Sequence, residues 1–131
     1  MPIPQVNTEH FQEQEFYCKC AKCKGIARIP DKYLGNLKRL VNKLETARLI
    51  ARIPFHITSG YRCLSHPESI KKPKSAHTTA EAADIEVNND SERYLILLGL
   101  NEASFIRLGI AKGFVHGDCS EKLPQSVLWV Y

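Results

Sequence analysis

The sequence predicts an α+β fold in which a small, mostly antiparallel sheet is flanked by helices. Two segments, 32–51 and 91–103, carry leucines at helical spacing, and short runs rich in strand-forming residues follow each of them. Helices and strands do not alternate strictly, which argues against a regular parallel β–α architecture. The 131 residues show no repeat and no linker, so we expect one domain over 1–131.

The first part of the chain is predicted to be irregular as far as residue 30. Prolines at positions 2, 4 and 30 interrupt it, and the cluster CKCAKC lies at 18–23. After Pro30, Asp31 is a candidate helix cap. Apolar residues then recur every three or four positions, so we expect an amphipathic helix over 32–51 that Pro54 ends.

The middle and C-terminal parts supply the strands and the second helix. FHIT at 55–58 alternates as a strand does, whereas 64–76, with two prolines and three lysines, is expected to be a surface loop. ADIEV at 83–87 is the next strand, and NND at 88–90 can cap the helix over 91–103. Three further short strands are predicted from RLGI, GFVHGD and VLWVY.

Charge and hydropathy limit the kinds of protein this chain can be. A net charge of +4 is compatible with an anionic partner such as cell wall or nucleic acid without requiring one. No apolar run approaches the ~18 residues of a membrane span. MPIPQVNTEHFQEQEF lacks the basic cluster and apolar core of a signal peptide, so we expect cytoplasmic synthesis. A role outside the cell would then need another export route or a longer parent protein.

Two stretches contain candidate metal ligands. SAHTTAEAAD places His77 and Asp84 among small residues, and FVHGD places His116 and Asp118 on one face of a predicted strand. His77 can equally be a loop residue and Asp84 a capping carboxylate, and His116 can be a core histidine hydrogen-bonded to Asp118. Two histidines and an aspartate that leave a fourth position for water match the open geometry of catalytic zinc.

A third candidate stands in SGYRC at 59–63, directly after a predicted strand. Arg62, held on a glycine-containing turn, could stabilise negative charge that develops on a carbonyl oxygen. The alternative is an ordinary surface arginine after a β-turn.

The chain resembles the zinc D-alanyl-D-alanine metallopeptidase family in the order of four motifs. They are SGYR, SxHxxxxAAD, FVHxD and a C-terminal WVY. The same fold group includes phage endolysin L-alanyl-D-glutamate peptidases, murein endopeptidases and the hedgehog signalling domain. The resemblance extends from HFQEQEF at 10–16 to Tyr131 and implies a hedgehog-like, D-Ala-D-Ala-peptidase-like fold.

The resemblance also implies roles for the candidate residues. His77, Asp84 and His116 become zinc ligands, and Arg62 becomes the arginine that polarises the substrate carbonyl. Ser75 is the first residue of the histidine motif and is expected to stabilise the site without binding the metal. Asp118 is the candidate general base and thus a catalytic residue, or at least the group that orients His116.

The implied activity is zinc-dependent hydrolysis of amide bonds in the peptide stems or cross-links of bacterial peptidoglycan. The enzyme would be a carboxypeptidase or an endopeptidase, and the size suits a phage or prophage lysis protein. We expect a monomer without membrane or nucleic-acid partners.

The chain departs from the family pattern at two positions. Many members carry an acidic residue three positions before the last histidine ligand, where this chain has Gly113, and the motif usually has glycine at the position of Ala80. If that glycine supplies a positive φ or a close backbone approach, alanine is unfavourable there. These departures support an alternative in which the domain binds metal or serves a structural role without catalysis.

Five cysteines are an odd number, which argues against a closed disulfide framework and fits a reducing compartment. The three thiols of CKCAKC, Cys18, Cys20 and Cys23, together with Cys63, could bind a structural zinc ion, against the alternatives of free thiols or one disulfide. Cys119 is expected to pack as a small apolar side chain.

The remaining features have weaker implications. Three lysines precede Ser75, namely Lys71, Lys72 and Lys74. They either form a solvated surface or attract the carboxylates of peptide stems. Trp129 and Tyr131 are expected in the core or in a cleft wall. A nucleic-acid-binding protein that uses CKCAKC as a knuckle is disfavoured, because aromatic residues do not interleave with the basic ones.

Overall fold

A computed structural model of the chain describes residues 5–131, and the prolines expected to interrupt 1–4 lie outside the described residues. Its strands are β1 (Ile57–Ser59), β2 (Ala82–Glu86), β3 (Arg107–Ile110), β4 (Phe114–Asp118) and β5 (Val127–Val130). They form one sheet in the order β1-β2-β4-β3-β5. Neighbouring strands are antiparallel except β3 and β5, which run parallel. The predicted α+β class with a mostly antiparallel sheet is therefore confirmed.

The helices are α1 (Leu34–Ala51), α2 (Pro67–Lys71) and α3 (Asp90–Glu102). Single 3₁₀ turns form at Glu13–Phe16, Asp31–Tyr33 and Ala76–Thr79. Both long helices agree with the leucine periodicity, and the side chain of Asn89 caps α3 by accepting a hydrogen bond from the Glu92 amide at 2.9 Å, as the NND motif predicted.

Three local predictions were wrong. Asp31 does not cap α1, because it lies inside a 3₁₀ turn that precedes the helix. Pro54 does not end α1 either, since the helix stops at Ala51 where Arg52 takes a left-handed conformation with φ 61°. The loop expected over 64–76 contains α2, which Pro67 starts at a position where its missing N–H is no loss.

One face of the sheet packs against the helices. A Cβ on Gly117 in β4 would lie 3.4 Å from Leu100 of α3, and a Cβ on Gly99 would lie 2.4 Å from the Ala47 carbonyl of α1. The two glycines thus let β4, α3 and α1 approach closely. Because side chains alternate along a strand, residues Phe114, His116 and Asp118 of β4 point to the opposite face.

The irregular N-terminal segment shares this core. Phe11 and Phe16 are fully buried, their ring centroids 6.1 Å apart, and each contributes about 1.5–3 kcal/mol through burial. His10 contacts Glu45 of α1, with 2.6 Å between Nδ1 and Oε2. Over 5–131, no helix combines the length and apolar character needed to cross a membrane.

Candidate metal centre

The register of two central strands sets the core of the candidate site. Asp84 of β2 and His116 of β4 are direct partners across the antiparallel ladder. Their side chains point to the face away from the helices, where His116 Nδ1 lies 3.0 Å from Asp84 Oδ1. Sheet hydrogen bonds, rather than a loop, therefore fix the distance between these two groups.

His77 completes the group from the 3₁₀ turn just before β2. Its Nε2 lies 3.4 Å from Asp84 Oδ1, and its Nδ1 lies 2.7 Å from the carbonyl oxygen of Gly60. A carbonyl can only accept, so Nδ1 carries a proton and Nε2 presents its lone pair toward Asp84. Ser75 caps this turn, because its hydroxyl accepts a hydrogen bond from the His77 amide at 3.2 Å.

The three side chains are buried and offer one donor atom each within 4.8 Å of one another. One carboxylate oxygen and two imidazole nitrogens are ligands that suit zinc and other transition metals. Each histidine is also held through its other ring nitrogen, as metal-binding histidines usually are. The donor set therefore fits a divalent cation.

Burial and charge act in opposite directions on these groups. Burial lowers the pKa of His77, which favours the neutral ring that a metal requires. Burial alone would raise the pKa of Asp84, but its interactions with His116 and His77 outweigh burial and lower that pKa. Burial opposes charge on His116 as well, yet Asp118 and Asp84 outweigh it and raise its pKa. The site is thus built around a carboxylate that stays ionised.

Asp118 contacts the far side of the His116 ring. Its Oδ2 lies 2.7 Å from His116 Nε2, and its Oδ1 accepts hydrogen bonds from Arg107 Nε at 2.7 Å and from the Ser120 amide at 3.2 Å. The Asp118 side chain is only 1% exposed. Burial would raise its pKa, but His116 and Arg107 outweigh this and lower it. A carboxylate so fully engaged is suited to orienting the imidazole.

Arg62 reaches the same centre from the turn after β1. Its Nε donates to the Ser59 hydroxyl at 3.0 Å and one terminal nitrogen lies 3.1 Å from Asp84 Oδ2. The side chain is 19% exposed, so part of the guanidinium faces the cleft. Arg62 is therefore not an ordinary surface arginine after a β-turn, which was the alternative that the sequence left open.

A cleft of about 830 Å³ opens over these residues. Trp129 forms part of its wall, with its ring centroid 5.1 Å from that of His116, and Tyr131 lies 5.0 Å from the ring of Phe114. Of the two positions expected for these C-terminal aromatics, the core or a cleft wall, the structure shows the cleft wall. Lys72 and Lys74 also line the cleft, whereas Lys71 pairs with Glu68 at 3.8 Å on an exposed surface.

The two departures from the motif pattern have different structural consequences. Ala80 has φ 61° and is fully buried, so it occupies a left-handed conformation in which glycine would be unstrained. At Gly113 a Cβ would meet nothing within 4 Å, and the Gly113 carbonyl accepts from the Val87 amide at 2.9 Å. No acidic side chain stands at that position.

Sequence patterns alone did not identify Arg107 or the carbonyl of Gly60. Arg107 became recognisable only through the pairing of β3 with β4, which puts it directly opposite Asp118. The sequence did contain one signal for Arg107, since a charged residue in a short apolar run such as RLGI is unusual in a buried strand. The hydrogen bond between the Gly60 carbonyl and His77 depends on where the turn lies in the fold, and no residue type in the sequence predicts it.

The cysteines separate into a group and a single residue. The sulfur atoms of Cys18, Cys20, Cys23 and Cys63 lie within 4.8 Å of one another. Cys119 is elsewhere, with its thiol 3.6 Å from the carbonyl oxygen of Glu81.

Comparison with known proteins agrees with this site. The family model described as Peptidase M15 matches residues 9–118, which include the three candidate ligands, Arg62 and Asp118. No curated protein and no solved structure matches the chain. The match covers most of the sequence, and peptidases of this family depend on a metal ion. The chain therefore belongs to the peptidase M15 family, the zinc D-Ala-D-Ala metallopeptidases that its four motifs resemble.

Proposed function

We propose that this protein is a zinc-dependent peptidase that hydrolyses amide bonds in the peptide stems or cross-links of bacterial peptidoglycan. The observation that supports this most directly is the convergence of His77 Nε2, Asp84 Oδ1 and His116 Nδ1 at the base of an open cleft. The other ring nitrogen of each histidine is held by a hydrogen bond: that of His77 by the Gly60 carbonyl and that of His116 by Asp118.

His77, Asp84 and His116 would hold the zinc ion. When bound in such a site, zinc polarises a carbonyl and lowers the pKa of a coordinated water toward neutrality. Arg62 would stabilise the negative charge that develops on the scissile carbonyl oxygen, because its guanidinium is anchored by Ser59 and Asp84 and is partly open to the cleft.

Of the two roles left open for Asp118, its contacts favour the orienting role. Both carboxylate oxygens are already used by His116 and Arg107, and the group is buried. It would keep the His116 ring in the tautomer whose Nδ1 is available to a metal.

The cleft composition supports a peptide with free carboxylates as substrate. Lys72 and Lys74 place positive charge on one side, and Trp129 and Tyr131 give apolar surface on another. Stem peptides of peptidoglycan carry such carboxylates. Cleavage would be of the D-Ala-D-Ala carboxypeptidase or the murein endopeptidase type.

Purified murein incubated with the zinc-loaded protein tests the proposal, with fragments identified by mass. We expect released peptides whose masses identify the cleaved bond, and no release after chelation or in His77→Ala. His56→Ala is the matched control, since that imidazole is exposed and pairs with Glu86. Absence of fragments with a fully zinc-loaded protein would contradict the proposal.

The same experiment distinguishes a second candidate, a non-catalytic metal-binding module of this fold. The glycine at position 113, with no acidic side chain there, favours it. That module would bind murein or zinc without producing fragments, whereas a peptidase produces them.

A further inference from the structure

Four cysteines form a compact cluster outside the site already described. The sulfur of Cys63 lies 3.7 Å from that of Cys20 and 3.8 Å from that of Cys23. A disulfide requires sulfur atoms about 2.05 Å apart. Four sulfurs at ~2.3 Å from a central zinc ion, at tetrahedral angles, lie about 3.8 Å from one another. The two distances from Cys63 match this value, and all four sulfur atoms lie within 4.8 Å of one another, as a tetrahedral thiolate site requires.

The backbone around the cluster also has the form of a metal-binding turn. The Cys23 amide donates to Cys20 Sγ at 3.4 Å, and the Cys63 amide donates to Cys18 Sγ at 3.4 Å. Such N–H donors stabilise negative charge on sulfur. Lys24 and Gly25 follow with positive φ values of 55° and 75°, which turns the chain back so that the Gly25 amide bonds the Cys18 carbonyl at 2.8 Å.

Burial separates this cluster from solvent on one side. Cys18 is 1% and Cys20 7% exposed, while Cys23 and Cys63 are half-buried. Four sulfur donors close the coordination shell of a tetrahedral ion and leave no position for water or substrate, which is the arrangement of structural rather than catalytic zinc.

We propose that Cys18, Cys20, Cys23 and Cys63 bind a second zinc ion as four thiolates, with their protons released to solvent. This choice among the three states left open by the sequence follows from the sulfur spacing, the N–H···S contacts and the turn at Lys24 and Gly25. Soft thiolate ligands select zinc over magnesium or calcium.

The ion would link the N-terminal segment to the turn that serves the candidate metal centre. Cys63 is adjacent to Arg62, and the Tyr61 amide donates to the Phe16 carbonyl at 2.9 Å. A Cβ on Gly60 would lie 2.7 Å from Phe16 Cα, so the two segments are in close backbone contact. The Gly60 carbonyl in turn orients His77. The thiolate site would therefore position Arg62 and His77, a consequence that rests on the proposed function.

Metal analysis and cobalt substitution test the thiolate site without any activity measurement. We expect two zinc ions per chain in the wild type and in Cys119→Ser, but one in Cys23→Ser. The Co²⁺-loaded wild type should show strong sulfur-to-cobalt charge-transfer absorption. His116→Ala should lose one ion and retain that absorption, which separates the failure of this site from the failure of the peptidase centre.

Two results would overturn the proposal. One is a Cys23→Ser protein that binds as many ions as Cys119→Ser. The other applies even if Cys23→Ser does not fold: a cobalt-loaded wild-type chain without charge-transfer absorption, in which all five thiols react with a thiol reagent.

Discussion

His116 Nε2 lies 2.7 Å from Asp118 Oδ2, while Nδ1 of the same ring faces Asp84. The ring is therefore held between two carboxylates, one of which is itself paired with Arg107. In metal sites, such a contact to the outer ring nitrogen fixes the tautomer and raises the basicity of the inner one.

Asp118→Asn is expected to weaken zinc binding by about 10- to 100-fold, because the amide retains the shape of the carboxylate but not its charge. Competition with a chelator of known affinity measures this. Hydrolysis should largely recover when zinc is saturating. Asp90→Asn, on an exposed helix start, is the control. If affinity were unchanged and activity stayed absent at saturating zinc, Asp118 would instead be the general base.

Arg62→Ala is expected to lower turnover by about 100-fold, the usual effect of losing one group that stabilises an oxyanion. Most of the loss should be in kcat rather than KM, because the interaction forms fully only in the transition state. Steady-state kinetics on a soluble stem peptide provides the measurement. Arg28→Ala, an exposed arginine with a weak pair to Glu13, should have wild-type rates. An equal rate in Arg62→Ala would restrict this arginine to holding the turn.

Ala80→Gly is expected to change the free energy of unfolding by less than about 1 kcal/mol. Relief of the left-handed conformation gains about 1–2 kcal/mol, whereas the lost buried methyl and the freer unfolded chain offset most of it. Urea unfolding measures the difference. Ala80→Val should be destabilised by about 1–3 kcal/mol through overpacking alone, since the site is fully buried. A large gain in Ala80→Gly would mean that alanine imposes real strain on the histidine turn.

Gly109→Ala is expected to displace the indole of Trp129, because the new Cβ would lie 2.5 Å from its Nε1. Trp129 is the single tryptophan, so its fluorescence reports the change directly, with emission at longer wavelength as the ring moves toward water. Substrate KM should rise because the cleft wall is altered. Gly113→Ala is the matched control, since a Cβ there meets nothing within 4 Å. Identical spectra for the two variants would show that Trp129 does not depend on Gly109.

Much of the fold was accessible from local patterns. Leucine spacing predicts α1 and α3 because helix formation depends on a continuous apolar face, and the Asn89 cap is a local hydrogen bond. The short helix α2 was missed because prolines and lysines dominate its neighbourhood, although Pro67 at its first position is a recognised start signal.

The site was predictable only in part, for a related reason. Motif order indicated His77, Asp84 and His116 as a group, but their distances depend on strand register. Arg107 comes from a neighbouring strand, so its pairing with Asp118 could not be predicted from local sequence, although an arginine within RLGI is itself unusual. The grouping of Cys63 with the three thiols of CKCAKC likewise depends on how the turn at 59–63 meets the N-terminal segment.

The pairing of Asp84 with His116 across adjacent strands has a further consequence for handling the protein. Two of the three candidate ligands belong to the sheet, so they stay aligned whether or not an ion lies between them. Replacement of a metal ion bound there is therefore expected to need only local opening of the turn that carries His77, so that spectroscopic ions should enter without refolding of the chain. The four cysteines lie in irregular segments, so removal of the zinc ion proposed there should loosen those segments, and mild chelation would then empty the two proposed sites in sequence.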